Sequence, residues 1–347
     1  MSGCFIKALG APLVAPLVLA ASIAAAQAQT TRLDVGYVPV IGASPLFVLD
    51  GAGWAKEAGL ALTTTKFDSG PNAILGAASG RLDALVIGVA PLAVARARGI
   101  DLVIVATTSR GGSGLVATGK LQQAFDAAGG DPAKAFAAFR AKNGRAAKIG
   151  TLPAGAGPTV ALTYWLKNVV KAPASDVDLA FMGIEAVQQA VMVDGIDGGT
   201  VLEPSLSVVL THNPNLKIVA SEAGMFPDAM GVGVAVSGKL ARENPQAVEK
   251  LVQLIVRATQ DVQKNPDGAA DHVQKVLGGG LLPRAVVLRA LTSPTVTWIN
   301  DPRAAIEPTR RMLAFQVESG DIPQAPSVDG LFDVGYYERA TKSGAQR

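Results

Sequence analysis

The segment "FDSGPNAILGAASGRLDALVIG", from Phe67 to Gly88, contains the signals for a helix start, a helix end and a following strand. Gly70 and Pro71 favour a helix start, because proline fits the first helical position. Gly80 is typical of the left-handed residue that ends a helix. The short apolar run "ALVIG" that follows is expected for a buried strand of a parallel sheet. The segment therefore predicts a helix that leads into a parallel strand.

A second segment, Leu179 to Ser221, repeats this order. It predicts a strand, a helix that ends near Gly195, the strand of "GIDGGTVLEP", a short helix opened at Pro204 and a last strand. Its first helix places Ile184, Val187, Val191 and Met192 on one apolar face, as a helix packed on a sheet requires. Chance similarity between two α/β segments is the alternative. The repeat favours an α/β protein of two lobes, each with a mostly parallel sheet flanked by helices.

Two glycine-rich segments are candidates for the crossings between these lobes. "SRGGSG", Ser109 to Gly114, follows a predicted strand, and "SEAGMFPDAMGVGVAVS", Ser221 to Ser237, resumes an extended conformation after a turn. A hinge of two crossings makes one lobe discontinuous. We expect lobe 1 to comprise residues 29–110 and 231–347, and lobe 2 to comprise residues 111–230.

The N-terminal residues have the pattern of a secretory signal. Lys7 is followed by an Ala/Leu/Val-rich run, and Ala26-Gln27-Ala28 matches a small-x-small cleavage site. We predict that residues 1–28 are a signal peptide and that the mature protein lies in the periplasm. A retained membrane anchor is the alternative, although its span would be mostly alanine with two prolines. Cys4 precedes the apolar run, which argues against lipid attachment there.

The composition excludes several classes of function. Cys4 is the only cysteine, so the mature chain would have no thiol nucleophile and no disulfide. Hydrophobic residues make up 49% and charged residues 17%, which permits a substantial core. Removal of Lys7, the only charged residue in 1–28, reduces the net charge from +3 to +2 (3 − 1). This charge is too small to indicate a nucleic-acid partner. We expect a monomer.

Catalytic patterns are weak throughout the chain. The two histidines, His212 and His272, lack a partner at metal-ligand spacing, and no G-x-S-x-G elbow occurs. The segment "GLVATGKL" approaches a phosphate-binding loop, but Leu121 stands where that loop needs a hydroxyl group for magnesium. We therefore predict no enzymatic activity, no cofactor and no metal site.

Five turns instead predict a binding site for a small molecule. Each follows a predicted strand and opens a predicted helix, so in parallel sheets they gather at the carboxyl edge. Helix N-termini at that edge present N–H groups and partial positive charge, which suit an anion. The five turns are "GASPLF" (residues 42–47), "SGPN" (69–72), "GVAP" (88–91), "LPAGAGPT" (152–159) and "LEPS" (202–205).

Side chains near these turns supply the remaining candidates. Ser44, Ser69 and Asn72 are neutral donors, and Arg110 is a cation at the first crossing that could bind a sulfonate or a carboxylate. Glu185 and Glu203 could take an ammonium or hydroxyl group of the same ligand, and local helix capping is the alternative role for both.

Three segments carry a resemblance to a known family. "VGYVPVIGASPLFV", "GWAKEAGLALTTTKFDSGPNAILGAASGRLDALVIGVAPLAVARARG" and "GIDGGTVLEP" resemble the sulfonate, taurine and nitrate group of periplasmic solute-binding proteins of ABC importers. The resemblance covers most of residues 33–205, and the later helices are similar as well. It implies the two-lobed periplasmic binding protein fold (type II), in which the lobes close around one ligand that is delivered to an ABC permease in the inner membrane.

The resemblance also completes the set of predicted ligand-binding residues. Its matching turns place Gly70, Ala90, Pro91 and Gly155 at or near the cleft, beside several of the residues named above. The whole predicted set is Ser44, Ser69, Gly70, Asn72, Ala90, Pro91, Arg110, Ala154, Gly155, Glu185 and Glu203.

The resemblance leaves the ligand open. The leading prediction is a small organic anion, a sulfonate such as taurine or an alkanesulfonate, bound without catalysis. The alternatives are an aromatic carboxylate, nitrate or a vitamin precursor, or a sensor subunit that docks on a membrane receptor. The chain departs from the group in an Ala-rich helical insertion, Gly111 to Lys148. A further alternative is an enzyme of the same fold family that acts on a heterocycle precursor. The chain lacks the cysteine cluster of the related pyrimidine-synthase branch, which argues against that activity.

Overall fold

The computed structural model describes Met1, Gly3 and residues 30–344. The predicted signal peptide therefore lies outside the described residues, apart from Met1 and Gly3. Within the described part of the chain, no helix combines the length and the apolar character that a membrane span requires.

The strands in the described residues form two five-stranded sheets and a two-stranded ribbon. They are β1 (Thr31–Tyr37), β2 (Leu60–Lys66), β3 (Ala84–Gly88), β4 (Leu102–Thr107), β5 (Ser109–Gly111), β6 (Ser113–Ala117), β7 (Ala147–Thr151), β8 (Val177–Phe181), β9 (Gly198–Leu202), β10 (Lys217–Ser221), β11 (Val232–Ser237) and β12 (Val296–Trp298).

Each large sheet is parallel except for one strand, so the predicted class of two mostly parallel sheets is confirmed. The first sheet has the order β2-β1-β3-β11-β4, and β11 runs antiparallel to both of its neighbours. The second sheet has the order β10-β6-β9-β7-β8, and β6 is its antiparallel strand. In both sheets the antiparallel strand is the one that the chain enters directly after crossing from the other sheet.

The two crossings lie side by side. The chain leaves the first sheet after β4 and enters the second at β6, and it returns between β10 and β11. Arg110 and Met230 form a β-bridge, and the Gly231 N–H donates to the Ser109 carbonyl oxygen at 3.1 Å. Strand β12 pairs with β5 and adds a third segment at this point. A Cβ at position 111 would lie 2.4 Å from the Thr295 carbonyl oxygen, which explains the glycine there.

Helices cover both faces of the large sheets. They are α1 (Ser44–Gly51), α2 (Trp54–Glu57), α3 (Gly70–Ala78), α4 (Val89–Ala97), α5 (Gly119–Ala127), α6 (Pro132–Asn143), α7 (Gly157–Tyr164), which continues as a π-helical turn (Trp165–Val170), α8 (Ile184–Met192), α9 (Ser205–His212), α10 (Glu222–Met225), α11 (Gly238–Glu243), α12 (Pro245–Lys264), α13 (Pro266–Val276), α14 (Arg284–Leu291), α15 (Arg303–Glu318) and α16 (Val334–Gly344). Short 3₁₀ turns occupy Ile41–Ala43 and Leu277–Gly280.

Helix α12 shows how local signals set an element. The Asn244 side chain accepts a hydrogen bond from the Ala247 N–H at 3.1 Å and so caps the helix, and Pro245 occupies its first position. Val248, Leu251 and Ile255 recur at steps of three and four and are buried. The predicted boundaries at the two Asn-Pro pairs are therefore confirmed.

The predicted Ala-rich insertion contains β6 and the helices α5 and α6. Phe125, Phe136 and Phe139 from these helices are buried, and the Phe125 and Phe136 rings meet edge to face at 5.4 Å. This cluster also includes Phe315 of α15, whose ring lies 5.2 Å from that of Tyr164. Helix α15 thus packs on the second sheet's helices although it follows residue 231, and the lobe boundaries stay a prediction.

Candidate functional site

A cavity lies between the two large sheets, where the five predicted turns meet. One lining residue from each turn is Gly42, Gly70, Gly88, Gly157 and Leu202. The cavity has a volume of about 60 Å³ for the centres of water molecules, which is room for a few waters or a small ligand. The carboxyl ends of β1, β2, β3, β7 and β9 supply these turns, as expected for parallel strands followed by helices.

Contacts between the turns of the two sheets enclose this cavity. The Ile41 N–H donates to the Glu203 carbonyl oxygen at 2.9 Å, and the Ile184 N–H donates to the Asp68 carbonyl oxygen at 3.4 Å. The Lys66 ammonium and the Glu185 carboxylate form an ion pair at 2.9 Å. The structure therefore shows the two sheets drawn together over the cavity.

Glu203 is one of two buried glutamates that line the cavity. It follows β9 and is 3% exposed. Its Oε2 atom accepts a hydrogen bond from the Ser207 N–H at 3.0 Å, so the carboxylate caps α9. Burial raises the pKa of Glu203, and hydrogen bonds with Ser207 and Ser293 and the charge of Arg289 oppose that increase.

Glu222 is the second buried glutamate, and sequence reasoning missed it. It follows β10, is 5% exposed, and its Oε2 atom accepts a hydrogen bond from the Ser113 hydroxyl at 3.0 Å. Burial raises the pKa of Glu222 to about 7, although hydrogen bonds with Ser113 act in the opposite direction. Its position in the sequence could have identified it. Glu222 directly follows a predicted strand in the second crossing segment, just as Glu203 directly follows a predicted strand.

The two glutamates flank the start of β6. Ser113 pairs with Leu202 of β9, and Gly114 pairs with Ser221 of β10. Glu203 and Glu222 are therefore the first residues beyond two strands that lie on either side of β6. Adjacent strands are about 4.8 Å apart, so the two backbones are separated by roughly 10 Å.

The remaining lining is apolar or backbone. Val40, Leu152, Ile184 and Met230 are among the apolar residues, and several glycines expose main chain. Ser109, Glu203 and Glu222 are the polar side chains among the described residues that line the cavity, and none of those residues is lysine, arginine or histidine. The cavity thus offers buried acceptors and no lining cation.

The structure places the predicted binding residues in three groups. Gly70, Pro91 and Glu203 line the cavity between the sheets. Ala154 and Gly155 line a neighbouring cavity of about 70 Å³, which shares Pro91 with the first. In that neighbouring cavity the Gln316 side chain is buried, and its amide atoms have no hydrogen-bond partner in the described part of the chain.

Ser44, Ser69 and Ala90 form the second group, which is buried in the turns but does not line either cavity. The Ser69 hydroxyl caps α3 by accepting the Asn72 N–H at 3.4 Å. The Ser44 hydroxyl is buried and has no hydrogen-bond partner among residues 30–344. Ala90 packs in the core of the second sheet.

Asn72, Arg110 and Glu185 form the third group, which lines neither cavity, and their side chains bond to other residues of the protein. Asn72 is exposed and donates to the Asp68 carboxylate at 2.7 Å. Glu185 is exposed in its ion pair with Lys66. Arg110 contacts the Asp228 carboxylate at 3.3 Å. Strand alternation gives the reason for Arg110, since its neighbours in β5 face the cavity and Arg110 faces away.

Several helix N-termini at this edge already have protein acceptors. The Ser207 N–H of α9 donates to Glu203, the Asn72 N–H of α3 donates to Ser69, and the Val89 N–H of α4 donates to the Gly231 carbonyl oxygen at 3.1 Å. These three amides are therefore engaged within the protein. No group of three or more His, Cys, Asp or Glu residues is positioned for a metal ion in residues 30–344.

Comparison with solved structures shows the same fold at low sequence identity. The nitrate-binding protein NrtA from Synechocystis PCC 6803 superposes with a TM-score of 0.76 and 16% identity over 90% of this chain and 89% of that protein. The ligand-binding component of an ABC-type import system from Staphylococcus aureus, with zinc bound, superposes with a TM-score of 0.72 and 14% identity. The match covers 89% of this chain and 99% of that protein. The alkanesulfonate-binding protein SsuA from Xanthomonas axonopodis pv. citri, bound to MOPS, superposes with a TM-score of 0.68 and 16% identity. The match covers 88% of this chain and 99% of that protein.

Comparison with curated proteins finds no match. The family comparison, in contrast, matches the NMT1-like family over residues 26–278, which is most of the chain. The two-sheet architecture and this match together show that the chain belongs to the NMT1-like family and has the periplasmic binding protein fold.

Proposed function

We propose that the protein is the extracytoplasmic substrate-binding component of an ABC importer. It takes a small molecule into the cavity between its sheets, without catalysis, and delivers it to a permease in the inner membrane. The observation that carries the proposal is the cavity itself, which is enclosed by turns from both sheets. The family match and the fold support the same role.

The crossings and the contacts across the cavity suit a protein that opens and closes. Ile41 and Glu203 form a backbone hydrogen bond between the sheets, and Asp68 and Ile184 form a second one. A ligand that shifts such an equilibrium from 1:99 to 99:1 needs about 5.5 kcal/mol of preference for the closed state. Hydrogen bonds to charged groups contribute about 1.5–3 kcal/mol each, so a few of them suffice. In this proposal residues 29–110 and 231–347 form lobe 1, and residues 111–230 form lobe 2.

The identity of the ligand is a separate question from the transport role. A sulfonate is the ligand that the resemblance favours, and two of the similar structures are of a nitrate-binding and an alkanesulfonate-binding protein. Those names apply to those proteins. For this chain, a small organic molecule is the ligand class that the size of the cavity supports, and its charge is argued in the next subsection.

Two measurements test the proposal. A panel of sulfonates, nitrate, aromatic carboxylates, vitamin precursors and organic cations is screened by thermal unfolding of the purified protein. A ligand at 1,000 times its dissociation constant should add about 4 kcal/mol to the free energy of unfolding. The ligand should be recovered chemically unchanged after it dissociates. Small-angle scattering should then show a smaller radius of gyration with that ligand. Turnover of the ligand, or binding without closure, would contradict the proposal.

The location is tested separately with the full-length chain. After expression in a Gram-negative host, we expect the protein in the periplasmic fraction, with an intact mass that starts at Gln29. An uncleaved chain in the cytoplasm would exclude the extracytoplasmic role.

A further inference from the structure

We infer that the ligand presents hydrogen-bond donors, such as an amidine, a guanidine or a protonated amine, to the carboxyl groups of Glu203 and Glu222. Its apolar side faces the turns of the first sheet, and it carries no free anionic group into the cavity. The inference rests on the proposed function and assigns the chemical class of the ligand.

The two carboxyl groups provide the first argument. Both are buried in the cavity wall, and each has its Oε2 atom engaged, by Ser207 in one case and by Ser113 in the other. No cation lines the cavity in the described part of the chain. Arg110 contacts Asp228, and Arg289 acts on Glu203 through its charge without lining the cavity. Burial of a carboxylate is costly even with one such hydrogen bond, and a donor on the ligand would offset more of that cost.

The engaged amides provide the second argument. An anion in such a cleft needs N–H donors at helix N-termini or a cationic side chain. The first turns of α3, α4 and α9 already donate to Ser69, Gly231 and Glu203. An anion would therefore meet two carboxyl groups, and three of the helix-start amides at this edge already have protein acceptors.

The distribution of lining residues gives the orientation. Both glutamates lie on the second sheet's side, together with apolar residues such as Leu152 and Ile184. The first sheet's side contributes backbone and apolar groups such as Val38, Val40 and Pro91 among the described lining residues. Gly70 lines the cavity next to Pro91, and a Cβ there would lie 2.5 Å from the Pro91 Cγ atom, so the apolar wall is tightly packed. The polar end of the ligand thus faces the second sheet and its apolar end faces the first.

The test uses pairs of molecules with the same shape and opposite charge. The full panel is guanidinium with nitrate, acetamidinium with acetate, and benzamidinium with benzoate and benzenesulfonate, each measured by calorimetry at about pH 8 and up to about 10 mM. We expect at least one cationic member to bind at least about tenfold more tightly than its anionic partner, as one buried charge pair can provide.

The outcomes separate the inference from the proposed function. Binding confined to the anions overturns the inference and leaves the transport role standing. Absence of binding by every cationic probe also overturns the inference. The scattering and fractionation experiments test the transport role independently of this result.

Variants locate the interaction. Glu203→Gln and Glu222→Gln keep the size of each side chain and remove its negative charge, so each should weaken the cationic probe that binds by about tenfold or more. Glu307→Gln changes an exposed glutamate that pairs with Arg310, and it should leave the affinity unchanged. Unchanged affinity in both cavity variants would overturn the inference. If Glu203→Gln fails to fold because α9 loses its cap, the affinities of Glu222→Gln and of the wild-type protein for the panel still test the inference.

Discussion

Glu203 and Glu222 line one cavity from either side of Ser113. The Ser113 hydroxyl donates to the Glu222 carboxylate at 3.0 Å, and the Glu203 N–H donates to the carbonyl oxygen of the preceding Gly112 at 2.8 Å. The first crossing between the sheets therefore holds both glutamates. This connection means that a change at the crossing also changes the position of the cavity's two acidic groups.

The raised pKa of Glu222 predicts a pH-dependent stability. In the unfolded chain this carboxyl loses its proton near its ordinary pKa of 4.5, whereas in the folded protein it keeps the proton up to about pH 7. The protonated Glu222 carboxyl therefore contributes fully to the free energy of unfolding below pH 4.5, and this contribution is lost as the pH rises through 7. We expect Glu222→Gln to remove a decline of about 2–3 kcal/mol in unfolding free energy between about pH 5 and pH 8.

Urea unfolding at these two pH values measures this difference. Glu318→Gln, which changes an exposed glutamate paired with Lys167, serves as the control and should show the wild-type dependence. Equal pH dependence in wild type and Glu222→Gln would show that Glu222 is not buried as the structure has it.

Gly70→Ala is expected to destabilise the protein. The added Cβ would lie 2.5 Å from the Pro91 Cγ atom, and a proline ring between two turns has little freedom to move. Such overpacking costs about 1–3 kcal/mol. The matched control is Gly157→Ala, because Gly157 also begins a helix at the cavity but has no atom within 4 Å of the added Cβ. Thermal unfolding of both variants checks this, and equal losses would contradict the packing at Gly70.

Arg110→Ala should change ligand affinity by less than about threefold, because the guanidinium contacts Asp228 and exposed ion pairs of this kind contribute about 0–1 kcal/mol. Arg311 also contacts Asp228, at 3.3 Å, so Arg311→Ala is the comparison. Calorimetry with benzenesulfonate and benzamidinium should find both variants alike. A large loss of benzenesulfonate affinity in Arg110→Ala alone would restore Arg110 as an anion-binding residue.

Lys66→Ala tests an ion pair that connects the two sheets' sides of the cleft. Lys66 ends β2 of the first sheet and Glu185 lies in the first turn of α8 on the second sheet's side, so their pairing favours the closed state, although both side chains are largely exposed. We expect a two- to fivefold loss in affinity for whichever probe binds, corresponding to about 1 kcal/mol or less. Lys217→Ala breaks a similar pair with Asp126 that lies on the second sheet's side alone, and it should have no effect on affinity. Equal effects of the two variants would contradict a role in closure.

Local signals in the sequence were sufficient for the elements and for their order. Pro71, Pro245 and the Asn244 cap begin helices in the structure where the pattern predicts them, because capping and proline geometry act within one turn of chain. The order of strands and helices also brings the five turns to one edge, because parallel strands connected by helices all end on the same side. The class of the fold and the place of the cavity could therefore be read from the sequence.

The chemistry of the cavity was decided only by tertiary structure. Glu222 is buried because β10 lies beside β6 in a register that sets it next to Ser113, a residue 109 positions away. Arg110 is directed away from the cavity because of its register with β12 and its pairing with Asp228. Burial, pKa and the direction of a side chain depend on which distant strands become neighbours. A local pattern of residues does not contain that information, whereas it does contain the periodicity and capping that build each element.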